Sequence, residues 1–246
     1  MTARPPLRER AIYFFFPRRC GLCGAVIASE RELCNACSAS LPCILPPCCG
    51  YCGASRADCD CEKHVPFYHT LCAPFYYEGA AREGIAQLKF RDKPRRAEYL
   101  GGQMAQVLRR EFPTLPFDLL CCVPLSHARL RERRYNQSAL LAAQLAKALS
   151  LPFNADLLQK PLDIASQRSY SQDRRRANVL GTIDLCAPES IAGKRILLCD
   201  DVVTTGATLN ECAKILLLYG AKEVCCVCAC KTRKESRKKA KESDDF

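Results

Sequence analysis

The sequence predicts an α/β protein in which a parallel sheet is flanked by helices, with a small cysteine-rich metal-binding module ahead of it and a charged tail behind. Three observations predict this. The stretch Lys194-Arg195-Ile196-Leu197-Leu198-Cys199-Asp200-Asp201-Val202-Val203-Thr204-Thr205-Gly206-Ala207-Thr208-Leu209 reads as a buried strand, two adjacent carboxylates and a short hydroxyl- and glycine-bearing loop. That loop opens a helix, because Asn210 to Tyr219 carries apolar residues at helical spacing. A second apolar run, Leu119 to Val123, has the continuous hydrophobicity of a strand buried on both faces. Ten of the twenty cysteines fall between Cys20 and Cys61, a clustering that favours metal binding over a disulfide framework.

A chain of 246 residues accommodates one medium domain with an appendage, or two domains. Lysine and arginine total 37 against 26 acidic residues, a net charge of +11 that attracts phosphates, nucleic acid or polyanionic metabolites without choosing among them. No apolar run approaches the roughly 18 residues of a membrane-spanning helix. Ile12 to Phe16 follows several arginines but is too short for a signal-peptide core and lacks a small-residue cleavage site. The expected location is the cytoplasm.

From the amino end, residues 1 to about 19 form a basic, proline-containing arm with an apolar patch at Tyr13 to Phe16. Cys20-x2-Cys23 and Cys34-x2-Cys37 follow, two CxxC pairs that each offer two thiolates from one tight turn to a tetrahedral ion. Four soft ligands with no redox requirement favour Zn²⁺. A second set, Cys49-x2-Cys52 and Cys59-x-Cys61, is less regular, and its fourth ligand could be Cys59, Cys48 or His64, with Cys43 also nearby. One or two zinc ions are expected, with a structural role, because four thiolates leave no open position for chemistry. The module is assigned to residues 1–65, the sheet domain to 66–232 and the charged tail to 233–246.

Within the sheet domain, Pro66 to Glu78 is aromatic and strand-like, and Glu83 to Phe90 has helical spacing. Lys89 at the end of that helix is a candidate phosphate contact, the alternative being a solvated face. Pro94 opens a second helix toward Phe112. The strand at Leu119 to Val123 ends at Pro124-Leu125-Ser126, a natural ligand loop. The segment His127 to Asn136 is dense with guanidinium groups, beginning with Arg129, that could hold a pyrophosphate bidentately or line a solvated basic face. Asn136 is placed to cap the helix Gln137 to Leu149. The polar, arginine-rich stretch between Pro161 and Gly181 has the length and setting of a lid or of a basic loop.

The opening stretch completes a βαβ unit: strand Ile196 to Cys199, a helix through Tyr219, Gly220 as its left-handed terminator and strand Val224 to Cys230. Thr208 and Glu211 have the spacing of a capping box. Cys225, Cys226, Cys228 and Cys230 lie on a strand whose alternate residues face opposite ways, so they are expected to be small core residues rather than a third metal cluster. Neither G-x-x-x-x-G-K-[ST] nor G-x-G-x-x-G is present, which removes a P-loop and a dinucleotide fold from consideration.

Ile196 to Thr208 resembles the phosphoribosyl-pyrophosphate motif of type I phosphoribosyltransferases. The wider chain resembles the ComF family, associated with bacterial competence and DNA uptake, whose members join a zinc module to such a domain. The resemblance runs from Pro17 to Thr232 through Leu88-Lys89-Phe90, Val123-Pro124-Leu125, Arg129-Leu130-Arg131-Glu132-Arg133, Asn136-Gln137-Ser138, Gln167, Arg175 and Asn178-Val179. It implies that Asp200 and Asp201 engage ribose hydroxyls, directly or through Mg²⁺. Thr204, Thr205, Gly206, Ala207 and Thr208 would wrap a 5′-phosphate, Pro124-Leu125-Ser126 would be the pyrophosphate loop and Gln167 to Asn178 the lid.

The chain departs from the family at several points. Arg134-Tyr135 stands where Gly-Phe is usual, Ile183 where Phe is usual, and Cys59-x-Cys61 is compressed relative to CxxC. Thr204 occupies a position that 6-oxopurine salvage enzymes give to an acid, so the loop is nearer the orotate-type version. The resemblance implies a protein that binds phosphoribosyl pyrophosphate with Mg²⁺ and transfers phosphoribosyl to a nitrogen nucleophile. The alternative is a non-catalytic competence factor that binds single-stranded DNA or a protein partner, with the nucleotide site as a sensor.

Overall fold

The structure, a computed structural model, describes residues 16–59, 61, 65–90, 94–160, 183–186 and 188–233. The arm before Phe16, His64, the expected lid and the tail beyond Arg233 lie outside the described residues. Lys89 falls in the last turn of a helix, and its expected phosphate contact also lies outside what is described. In chain order the elements are α1 (Asn35–Ala39), β1 (Thr70–Cys72), β2 (Phe75–Tyr76), α2 (Gly79–Phe90), α3 (Pro94–Glu111), β3 (Leu119–Cys122), α4 (His127–Arg133) and α5 (Gln137–Leu149). They continue with β4 (Phe153–Asn154), β5 (Leu158–Gln159), β6 (Asp184–Leu185), β7 (Arg195–Val203), α6 (Ala207–Leu218) and β8 (Glu223–Lys231).

The main sheet has the order β1-β8-β7-β3-β4, with β2 also beside β8, and every pairing in it is parallel. Side chains alternate across it. Leu120, Cys122, Leu197, Cys199, Cys225 and Val227 join one core with α2, α3 and α5. Leu119, Cys121, Ile196, Leu198, Val224 and Cys226 join the other with α6 and the antiparallel pair β5–β6. Burial on both faces explains why these strands read as unbroken apolar runs.

The helices follow from local chemistry. Proline starts α3, where its missing N–H costs nothing, and Leu100, Met104 and Leu108 recur on the buried side. As expected, Asn136 caps α5, its side-chain oxygen accepting from Ser138 N at 3.0 Å, while Leu141, Leu145 and Leu149 are buried. Arg134 closes α4 in the left-handed conformation (φ 66°), which an L side chain adopts at a cost of about 1–2 kcal/mol. The glycine usual in the family has a physical reason at that position.

One local expectation is overturned. Thr208 does not cap α6: the helix begins at Ala207, its N-cap is Gly206 at φ 83°, and the cap makes no side-chain hydrogen bond. The capping-box spacing of Thr208 and Glu211 therefore falls inside the helix. Gly220 does take the left-handed conformation (φ 90°) after α6.

The cysteine-rich segment packs directly on the sheet domain. Leu22 is fully buried in the same core as α2 and α3, and Arg96 Nε donates to its carbonyl at 2.8 Å. Gly21 and Gly84 permit this contact: a Cβ at either would stand 2.7 Å from Tyr99 or 2.6 Å from Leu22. Farther along, Leu71 N donates to Gly50 O at 2.7 Å, and the Tyr76 hydroxyl donates to Asp58 at 2.6 Å.

Cys225, Cys226, Cys228 and Cys230 are all buried and divide between the two cores, as expected of packing residues. Burial pushes the Cys226 and Cys228 thiols well up, keeping them protonated. Replacing Cys226 or Cys228 by alanine should leave the metal content of the purified protein unchanged. Serine at either position should destabilise by about 1–3 kcal/mol in urea unfolding, the cost of burying a hydroxyl. Loss of bound metal in the alanine variants would contradict the core assignment.

Candidate functional site

The chain leads from β3 through α4 to α5 on one face of the sheet and from the neighbouring β7 to α6 on the other. Adjacent strand ends with diverging connections open a crevice, the usual ligand position of a parallel α/β sheet. Asp200 and Asp201 lie near the carboxyl end of β7, both partly exposed. Asp200 Oδ1 accepts from Ser138 Oγ and from Asp201 N, both at 2.8 Å. Asp201 Oδ1 accepts from Val202 N at 2.8 Å. Hydrogen bonds thus orient both acids.

Thr204, Thr205, Ala207 and Thr208 are exposed and Gly206 half-buried, so the loop offers hydroxyls and the first N–H groups of α6 to the crevice. Thr205 Oγ1 accepts from Ala207 N at 3.3 Å, and the Gly206 carbonyl accepts from Asn210 N at 2.9 Å. Beneath the loop lies Lys231, 3% exposed, whose ammonium donates to the carbonyls of Thr204 (3.3 Å) and Thr232 (3.1 Å). A positive charge tied to the loop backbone favours an anion above it.

Across the crevice, Pro124 is buried, while Leu125 and Ser126 are half-buried. Ser126 caps α4 by accepting from Arg129 N at 3.4 Å, and the Arg129 side chain is exposed. Asn136 Nδ2 donates to the Val123 carbonyl at 3.0 Å, fixing the end of β3 to the start of α5. His127 Nε2 lies 3.0 Å from the Lys160 carbonyl, which ties α4 to the segment beside β5. Arg133 Nη1 donates to Gln137 Oε1 at 3.2 Å, while Arg133 Nε and Gln137 Nε2 are buried with no partner among the described residues.

The structure therefore brings Asp200, Asp201, the 204–208 loop and the 124–126 loop to one crevice. Ser138 and Lys231 join them, although the sequence analysis gave neither a role in the site. Ser138 belongs to a motif already noted, but its partner is 62 residues away. Lys231 shows only as a polar residue closing a buried strand.

The N-terminal cysteines form two compact clusters. The sulfurs of Cys20, Cys23, Cys34 and Cys37 lie within 4.8 Å of one another, as do those of Cys49, Cys52, Cys59 and Cys61. Cys23–Cys34 and Cys49–Cys61 approach to 3.7 Å and Cys52–Cys59 to 3.8 Å. Four sulfurs about 2.3 Å from a tetrahedral Zn²⁺ stand about 3.8 Å apart, so the donor set fits that ion. Among the described residues the second cluster uses both Cys59 and Cys61. Cys48 instead faces Arg110 Nη2 at 3.8 Å.

Burial opposes ionisation of Cys20, but backbone N–H groups of Cys34, Leu22 and Cys23 outweigh it and bring the thiol down to about 6. Cys49 is brought to about 7 against its burial by the N–H groups of Cys52 and Tyr51. Burial pushes Cys52 up to about 11. Each cluster thus holds a thiol ready to ionise, as a metal ligand must.

Gly206→Ala should lower stability by about 1–2 kcal/mol in urea unfolding, because its φ is costly for an L side chain. An unchanged midpoint would contradict the assigned loop conformation.

Residues 136–246 match the family model described as phosphoribosyl transferase domain, and residues 11–73 match the double zinc ribbon domain. Competence protein F of Haemophilus influenzae is 30% identical over 223 residues, covering 85% of this chain and 95% of its own. DNA utilization protein YhgH of Escherichia coli O157:H7 is 32% identical over 217 residues, covering 87% and 90%. Competence protein ComFC of Bacillus subtilis is 25% identical over 205 residues, covering 79% and 82%. With two compact four-cysteine clusters set against a parallel sheet that ends in an acid pair and a glycine loop, the chain belongs to the ComF family of phosphoribosyltransferase-like competence proteins.

Proposed function

We propose that the chain binds phosphoribosyl pyrophosphate with Mg²⁺ in the crevice between β3 and β7. The observation that supports this best is the acid pair followed directly by an exposed glycine loop on the N-terminus of α6, with Lys231 beneath. Thr204, Thr205, Gly206, Ala207 and Thr208 take the 5′-phosphate through N–H groups and hydroxyls. Asp200 and Asp201 take the ribose hydroxyls, Asp200 held in place by Ser138. Pro124, Leu125 and Ser126 face the pyrophosphate, and Lys89 and Arg129 add positive charge. Mg²⁺ carried with the substrate would neutralise charge on the phosphates.

In a transfer reaction at this site, the bond from ribose C1 to pyrophosphate breaks as a nitrogen nucleophile forms its bond to C1, and the nucleophile's proton passes to solvent. The residues named here bind and orient the ribose and stabilise the departing charge. The relatives' names, Competence protein and DNA utilization protein, support a role for this site in DNA uptake. The working division is a zinc module at 1–65, the phosphoribosyltransferase-like domain at 66–232 and a charged tail at 233–246. Two Zn²⁺ ions brace the module. Among the described residues no helix is long and apolar enough to cross a membrane.

Isothermal titration of the full chain with phosphoribosyl pyrophosphate and Mg²⁺ should give a binding isotherm, abolished in the Asp200→Asn/Asp201→Asn variant. No heat with the wild type would sink the proposal. Chelation of the bound zinc should unfold the cysteine module and lower the melting temperature, because metal binding and folding are linked. Unchanged thermal stability after verified metal loss would refute a structural role for the ions.

A further inference from the structure

One side chain, Tyr68, stands between the second cysteine cluster and the 204–208 loop. It is 6% exposed. Its hydroxyl donates to the Tyr51 carbonyl at 2.8 Å. Tyr51 lies between Cys49 and Cys52, so that carbonyl belongs to the metal-binding turn itself. The same hydroxyl oxygen is 3.2 Å from the point where a Cβ would stand on Gly206, the residue whose left-handed conformation sets the loop.

The flanking residues repeat this two-sided arrangement. Toward the cluster, Leu71 N and Thr70 Oγ1 donate to the Gly50 carbonyl at 2.7 and 3.1 Å. Toward the sheet domain, Phe67 N donates to Asn210 Oδ1 in the first turn of α6 at 2.6 Å, and the Lys214 ammonium lies 5.7 Å from the centre of the Phe67 ring. Residues 67–71 are therefore bonded to the cysteine turn on one side and to α6 on the other. Among the described residues the first cluster has no such link; it packs through Leu22 and Arg96 against α2 and α3.

Gathered sulfurs fix the carbonyls of the turn that carries them, and dispersed sulfurs free those carbonyls. Gly206 has no side chain of its own to brace the loop, so the tyrosine supplies the wall. We propose that Tyr68 is a positioning residue that couples the second cysteine cluster to the 204–208 loop. Metal in the cluster holds the loop in its anion-binding form, and an anion in the loop tightens the metal by the same factor, as linkage requires. The anion half of this coupling rests on the reading that the loop takes the phosphate of phosphoribosyl pyrophosphate.

The test compares the zinc-loaded full chain with a second-cluster variant (Cys59→Ser/Cys61→Ser), a first-cluster variant (Cys23→Ser/Cys34→Ser) and Tyr68→Phe. Amide hydrogen exchange over residues 203–209 reads the loop without any ligand, and titration with phosphoribosyl pyrophosphate and Mg²⁺ reads its affinity. In the second-cluster variant, loop exchange should quicken and affinity fall, each by about tenfold, within the usual range of coupling between sites. Exchange in β3 and β7 should stay slow, showing that the sheet remains folded. The first-cluster variant should match wild type on both readouts. Tyr68→Phe should loosen the loop and lower affinity with both clusters still loaded, and adding Cys59→Ser/Cys61→Ser to it should lower affinity no further. Unchanged loop exchange in both the second-cluster variant and Tyr68→Phe would overturn the coupling, as would an equal effect from the first cluster. Loop exchange that responds while every form fails to bind the ligand would support the contact between cluster and loop and overturn the phosphoribosyl reading.

Discussion

Two neighbouring parallel strands whose chains leave in opposite directions govern this molecule. Because β3 leads through α4 to α5 on one face and β7 leads to α6 on the other, their carboxyl ends lie side by side. The acid pair, the glycine loop and the 124–126 loop all sit at that opening. Strands buried on both faces make the opening rigid, and the small side chains of Cys121, Cys122, Cys199 and Cys226 let helices pack closely on each side.

Polar contacts then turn a crevice into an ordered site. Asp200 is held from α5 by Ser138, and the end of β3 is held from the same helix by Asn136. One helix start therefore sets the relative position of both strand ends. On the opposite side Lys231 reaches from β8 to the carbonyl of Thr204, so a third strand fixes the loop from below. The cysteine module is part of the same construction, since it shares a core with α2 and α3 and touches the loop side of the sheet through Tyr68.

What was legible in the sequence is what depends on neighbours along the chain. The run from Ile196 to Thr208 carries strand, acids, loop and helix within one stretch, and its reading needed only periodicity and the chemistry of helix ends. The paired CxxC turns were legible for the same reason. Ser138 with Asp200, and Tyr68 with Tyr51 and Gly206, were not, because each contact joins segments that meet only after the sheet assembles. The second cluster shows both sides of this. Its cysteines are evident in the sequence, but taking Cys59 over Cys48 as the fourth member requires knowing that Cys48 turns toward Arg110. Thr208 was misread as a cap because Thr and Glu three apart fit the capping pattern. The backbone instead turns two residues earlier, at Gly206, which makes no side-chain cap.

The carboxyl ends of β3 and β7 are proposed to form a phosphoribosyl pyrophosphate site. A crystal structure of the full chain grown with phosphoribosyl pyrophosphate and Mg²⁺ tests it most directly. The 5′-phosphate should then lie on the N–H groups of residues 204–208, the ribose hydroxyls at Asp200 and Asp201, and the pyrophosphate facing residues 124–126. A ligand bound elsewhere on the chain, or a 204–208 loop left empty at saturating ligand, would contradict it.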